Sequence, residues 1–182
     1  MRSFFFLAIC FILCAAALSA DLTVGQIYGL NFVDVDGHTL STTDGHVTVI
    51  VLTTQSDIDK ARTVGDRVPE YCLGDPNYRM ITVVNFQKKH SKPIRMILSA
   101  LVRRRLDAEA QRLQPRYTAK KIIHDPRRDV FAVADFDGSV VAGLGARFEA
   151  SDFRVFVFGR NGELLQQWND VPTAAQLAAV VK

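Results

Sequence analysis

The chain has 182 residues, of which 48% are hydrophobic, and its net charge is only +3. That is enough chain and enough apolar side chain to bury a substantial core as one domain. It carries no internal repeat and no low-complexity linker, which excludes a repeat array or a string of separate modules.

Residues 1–20 have the three parts of a cleavable secretory leader. Arg2 gives the positive start, Phe4 to Leu13 the apolar run, and Ala15 to Ala20 the small-residue end. Cleavage after Ala20 leaves Asp21 as the new N-terminus, and a cut after Ala17 is the alternative. The apolar stretch is shorter than the ~20 residues a spanning helix needs. We therefore expect an exported chain, periplasmic or secreted, with no transmembrane segment after cleavage. Leu13 before Cys14 is bulky where a lipoprotein leader wants a small residue. Cys10 and Cys14 leave with the leader, so the single domain expected over residues 21–182 keeps only Cys72. One thiol cannot close an internal disulfide or run dithiol chemistry alone. Cys72 is expected as a small buried residue, with a reactive thiol or an intermolecular bridge as the alternatives.

The next signals are turns. Asp36-Gly37, Asp44-Gly45, Asp137-Gly138 and Asn161-Gly162 accept positive φ. Leu30 to Val35 and His38 to Ser41 flank the first of these and read as a hairpin. Val47 to Leu52 is β-branched and nearly all apolar, as a strand covered on both faces must be. Ser56 or Asp57 can cap a helix running to about Arg67, with Pro69 just beyond. Met80 to Phe86 is a second buried strand. Ser91 and Pro93 open another helix, on which Ile94, Ile97, Leu98, Leu101 and Val102 keep helical spacing. Arg105 falls in line with that stripe, so the helix is expected to bend, end or project there. Phe131 to Ala134 is a short strand, and Phe153 to Phe158 with Glu163 to Trp168 form the last hairpin. Thr173 and Gln176 make a capping box for a C-terminal helix. Strands alternating with helices, then a hairpin, imply a mixed α/β sheet with helices on both faces.

This pattern resembles the thioredoxin-like superfamily, nearest its exported thiol–disulfide oxidoreductases and its alkyl hydroperoxide reductase/thiol-specific antioxidant group. The resemblance is carried by Asp34-Val35-Asp36-Gly37-His38-Thr39-Leu40, by Asp44-Gly45-His46 before the Val47 strand, by Asp135 to Gly145, and by the final hairpin with Val171-Pro172. It implies a thioredoxin-like fold with a redox site where the central strand meets the next helix. In that family a C-x-x-C pair at the helix N-terminus is held as thiolate by the helix dipole and free N–H groups. The equivalent position here is Asp57-Ile58-Asp59-Lys60, and Thr53 to Asp66 contain no cysteine. Thr53 and Ser56 have the peroxidase branch's spacing, but serine stands for the thiol. The family's cis-proline would precede Phe153, where Ala150-Ser151-Asp152 stand instead.

The charge is uneven. Lys88 to Arg128 holds thirteen Lys/Arg against Asp107, Glu109 and Asp125, which makes this partly helical segment a basic insert. Such a run is either a solvated face or a contact for an anionic partner. Candidate contacts are Lys88, Lys89, Arg103, Arg104 and Arg105. Nucleic acid is not expected, because few aromatics interleave the cations. His38, His46, His90 and His124 show no metal-ligand spacing with Cys72, and Asp135 to Ser139 lacks the later ligands of a calcium loop. No metal or cofactor is expected. The expectation is a redox-inactive thioredoxin-like protein that binds a partner. The alternatives are a thiol-dependent oxidoreductase or peroxidase using Cys72, and anionic-surface binding through residues 88–128.

Overall fold

The structure, a computed structural model, describes residues 21–148 and 152–182. The leader expected over residues 1–20 lies outside the described residues. The chain forms β1 (Asn31–Val33), β2 (Thr39–Ser41), β3 (Val47–Thr54), α1 (Ile58–Arg67), β4 (Tyr78–Asn85), α2 (Lys92–Ala119), β5 (Val130–Asp135), α3 (Ser139–Gly143), β6 (Arg154–Phe158), β7 (Leu164–Trp168) and α4 (Ala174–Val180). Single 3-10 turns at Glu70–Cys72 and Pro126–Asp129 link α1 to β4 and α2 to β5.

Five strands make one sheet in the order β5-β4-β3-β6-β7. β3, β4 and β5 run parallel, β6 is antiparallel to β3, and β7 is antiparallel to β6. All of β3 is buried, as its unbroken apolar and β-branched sequence requires. Val47, Val49 and Val51 pack with Ala61 and Val64 of α1 and Leu177 of α4. Ile50 and Leu52 face the other way, against Phe32 and Leu40 of the β1–β2 hairpin and Val141 of α3. Helices therefore cover both faces, with α1, α2 and α4 on one side and α3 with the hairpin on the other.

The expected break at Arg105 does not occur. α2 continues unbroken to Ala119, even through Pro115, where proline removes one backbone donor. The sequence stripe of Ile94, Ile97 and Leu101 turns out to face solvent. The face that packs on the sheet is Leu98, Val102 and Leu106, one position round the helix. Ala110 and Tyr117 continue the buried side toward the C-terminus. Arg105 thus extends the exposed line and has no reason to end the helix.

Two polar devices fix the N-terminal part. Asp34 is buried, and its carboxylate accepts the N–H groups of Asp36 (2.9 Å) and His38 (2.7 Å), which closes the β1–β2 turn. The second is Arg79, buried on β4, whose nitrogens donate to Asp44 (2.8 and 3.0 Å), the Ser41 carbonyl (2.7 Å) and Thr48 Oγ1 (3.2 Å). Burial pushes the Asp44 carboxyl up, but hydrogen bonds from Arg79, His46 and the Ser41 N–H outweigh it and hold it well below the usual carboxylate range.

A carboxylate held down in this way contributes stability above its unfolded pKa of ~3.9, and that contribution is lost as pH falls toward the folded value. Asp44→Asn is expected to cost roughly 2–3 kcal/mol at pH 7, because it strands the buried Arg79 charge beside a partly exposed partner. The gap between variant and native protein, read from urea midpoints, should hold from pH 7 to about pH 5 and narrow below pH ~4. A gap independent of pH would show that the ion pair is not its source.

Candidate functional site

β3 ends at Thr54 and α1 begins at Ile58, so the three-residue link Gln55-Ser56-Asp57 delivers the chain to a helix N-terminus at the carboxyl edge of the sheet. Parallel βαβ units create their binding crevices at this edge. Asp57 occupies the cap position, but its carboxylate accepts no backbone N–H, which corrects the expectation of an ordinary side-chain cap. Instead it accepts from Thr54 Oγ1 (3.3 Å) and pairs with Lys60 Nζ (3.4 Å). Thr54 Oγ1 also meets Ser56 Oγ at 2.8 Å, and Thr53 is buried with its hydroxyl donating to the Thr54 carbonyl. Ile58 packs toward the core, while Asp59 pairs with Arg62. The Lys60 ammonium sits 5.4 Å from the centre of the Phe153 ring. Of the four residues Asp57, Ile58, Asp59 and Lys60, Asp57 and Lys60 thus pair at the helix start, Asp59 pairs with Arg62 and Ile58 is turned to the core. Of the Ala150-Ser151-Asp152 segment, Ala150 and Ser151 lie outside the described residues, and Asp152 pairs with Arg154 at 3.7 Å.

Cys72 lies past the other end of α1, in the turn at Glu70–Cys72, buried in the same apolar cluster as Val47, Val64 and Val181. Burial, helped by the negative charge of Asp75, pushes its thiol up to about 11. A raised pKa means less thiolate, the reverse of what a reactive cysteine needs.

The basic segment separates into two groups. Arg103 donates to the Val35 carbonyl (2.7 Å) and pairs with Asp36 (3.4 Å), tying α2 to the hairpin. Arg127 joins Asp36 to Asp107, and Arg112 joins Asp66 (2.7 Å) to Glu109. Arg116 and Lys120 both meet Glu70. These cations hold α2 against α1 and the hairpin. Lys88, Lys89, Arg104 and Arg105 are exposed and have no ion-pair partner among the described residues. Of the five candidates for an anionic contact, Arg103 is thus a structural anchor and four remain open.

The histidines hold local turns and contacts. His38 pairs with Asp34 (2.9 Å), His46 with Asp44 (2.8 Å) and His124 with Asp129 (2.8 Å). The ligand atoms of Asp34, Asp36 and His38 lie within 4.8 Å of one another. Asp34 already holds two N–H groups of its own turn, and Asp36 is taken by Arg103 and Arg127. Asp135 accepts from the N–H groups of Gly138 (2.8 Å) and Val141 (2.8 Å), so the sequence that begins like a calcium loop is a turn that starts α3. No helix among the described residues is long and apolar enough to cross a membrane.

No family model and no curated protein matches the chain. Solved structures do match it. An exposed lipoprotein thioredoxin of Streptococcus pneumoniae strain TIGR4 superposes with a TM-score of 0.53 and 12% identity, over 84% of this chain and 97% of that one. A candidate protein disulfide isomerase of Bacteroides thetaiotaomicron gives 0.53 and 8% identity, over 88% and 91%. A candidate thioredoxin of Neisseria meningitidis gives 0.50 and 16%, over 86% and 87%. The fold of this chain is thioredoxin-like, and the likeness runs nearly the full length of the proteins compared.

Native Cys72 is expected to react with a maleimide at pH 8 at least about a hundredfold more slowly than in urea, where its pKa returns to ~8.5. Comparable native and unfolded rates would show that the thiol is accessible.

Proposed function

We propose that the protein is an exported thioredoxin-like domain that performs no thiol redox chemistry and acts by binding a partner. The observation carrying this reading is the start of α1. There Asp57-Ile58-Asp59-Lys60 stand at the end of the central strand, with no cysteine anywhere from Thr53 to Asp66. A helix N-terminus lowers a thiol's pKa through its dipole and free N–H groups. Cys72 lies at the opposite end, about 15 Å away for a helix of this length. Its pKa is raised, and disulfide exchange and peroxide reduction both begin with a thiolate. The reading of export rests on the charged start, apolar run and small-residue end of residues 1–20.

A second reading, contact with an anionic surface, has its own support. Lys88, Lys89, Arg104 and Arg105 flank Ile94, Met96 and Ile97, which are exposed on the first half of α2. Cations beside exposed apolar side chains suit an anionic interface. Binding of that kind weakens steeply with salt.

The deciding assay is insulin disulfide reduction with dithiothreitol, run beside peroxide consumption. The protein is expected to leave both rates at the no-protein level, and Cys72→Ser to change neither. A rate above that level which Cys72→Ser abolishes would sink the redox-inactive reading.

A further inference from the structure

The sheet is not closed between α1 and α2. α1 packs over β3 and α2 over β5, and the face of β4 between them opens into a cavity of about 530 Å³. Ile81 and Val83 are fully buried on the opposite face of β4, yet Met80 and Thr82 are only half-buried on this one. The walls are Ile58 and Ala61 of α1 and Leu98, Val102 and Leu106 of α2. The volume falls within the ~300–1,000 Å³ typical of small-molecule sites. Water in such a space finds few polar partners, and an empty space forfeits dispersion contacts.

The arginines around this cavity are ion-paired, with one exception, and the Asp75 carboxylate on its lining accepts from the backbone and side-chain N–H groups of Asn77 (both 2.8 Å). Arg62 and Arg112 are held by Glu109, and Arg62 also by Asp59. Arg79 is held by Asp44, Arg116 by Glu70, and Asp129 by His124. Arg105 lines the cavity, is exposed at its rim, and has no ion-pair partner among the described residues. On the floor, the Thr82 hydroxyl has no hydrogen-bond partner among the described residues. Leu101 carries the apolar surface out to the mouth beside Arg105, half exposed to solvent.

A mostly apolar space between two helices, with one arginine at its edge that has no ion-pair partner among the described residues, suits an apolar chain with one anionic end. We propose that the cavity binds a single-chain anionic amphiphile of the fatty-acid type. Its chain lies between α1 and α2 over Met80 and Thr82, and its carboxylate meets Arg105. Charge complementarity chooses this occupant over a neutral one. The inference does not depend on whether the protein has thiol activity, which is measured separately.

The test uses purified protein and the fluorescent probe dansylundecanoic acid, displaced by dodecanoate or by the neutral dodecanol. The probe's emission is expected to rise and shift to the blue on binding. Dodecanoate is expected to displace it about fivefold to tenfold more tightly than dodecanol, as one charge-assisted contact allows. Arg105→Glu should bring dodecanoate down to the level of dodecanol or below it, with dodecanol unchanged. Thr82→Phe should fill the floor and abolish binding of both, with circular dichroism confirming the fold. Three outcomes overturn the proposal. One is no displacement by either compound. Another is equal displacement by both with no effect of Arg105→Glu, which marks an apolar site without anion selection. The third is binding that survives Thr82→Phe in a folded protein, which puts the ligand elsewhere. If Thr82→Phe does not fold, Arg105→Glu at the exposed rim decides alone.

Discussion

A strand that buries all eight of its residues must be covered on both sides, and β3 places that demand on the rest of the chain. Neither face of Val47–Thr54 can meet water without exposing a row of Val, Ile or Leu. On one side the demand is met by α1 and α4, and on the other by the β1–β2 hairpin and α3. The carboxyl end of β3 then opens at the sheet edge beside the start of α1. The location of the candidate site follows from the burial of β3, whatever residues later came to occupy it.

Coverage of the neighbouring strands is less complete. Over β4, the two helices meet through charge more than through apolar contact. Arg62–Glu109, Arg112–Asp66 and Arg116–Glu70 cross from one helix, or the turn after it, to the other. Ion pairs at a surface are weak individually and tolerate water around them. They can hold two helices at a fixed separation without filling the space beneath. That is the physical reason a thioredoxin-like layer can retain an open pocket under α2. It is also why much of the charge in the basic segment acts within the molecule.

Most of the architecture is legible in the sequence because its signals are local. Val47 to Leu52 declares a buried strand through β-branching, Asn161-Gly162 declares a hairpin, and Thr173 with Gln176 declares a capping box that forms with both of its halves. The course of α2 is not legible, because a helical stripe cannot say which side will face the sheet. Ile94, Ile97 and Leu101 are as apolar as Leu98 and Val102, and only the position of β5 decides between them. The fate of the cations is hidden for a related reason. Arg112 finds Asp66 across 46 residues and Arg127 finds Asp36 across 91, distances over which sequence pattern carries no information. At the candidate site, the missing cysteine is plain from the sequence. What replaces it is not, since Asp57 turns toward Thr54 and Lys60 and leaves the helix N–H groups alone.

The N-terminal stretch touches both rims of the sheet. The N–H of Gly25 donates to Leu164, that of Leu164 to Gln26, and that of Tyr28 to Gly162, along the outer side of the last hairpin. A few residues on, the N–H of Val35 donates to the carbonyl of Ala132 in β5, the strand at the opposite rim. Gly162 makes room for this crossing, since a Cβ there would stand 2.8 Å from the Tyr28 carbonyl oxygen. Backbone groups at both rims that would otherwise offer a template to another chain are thus engaged by this one. The cost is one of order in time. Residues 25–28 have no seat until the last hairpin exists, so a growing chain carries this edge protection unused until that hairpin has been made.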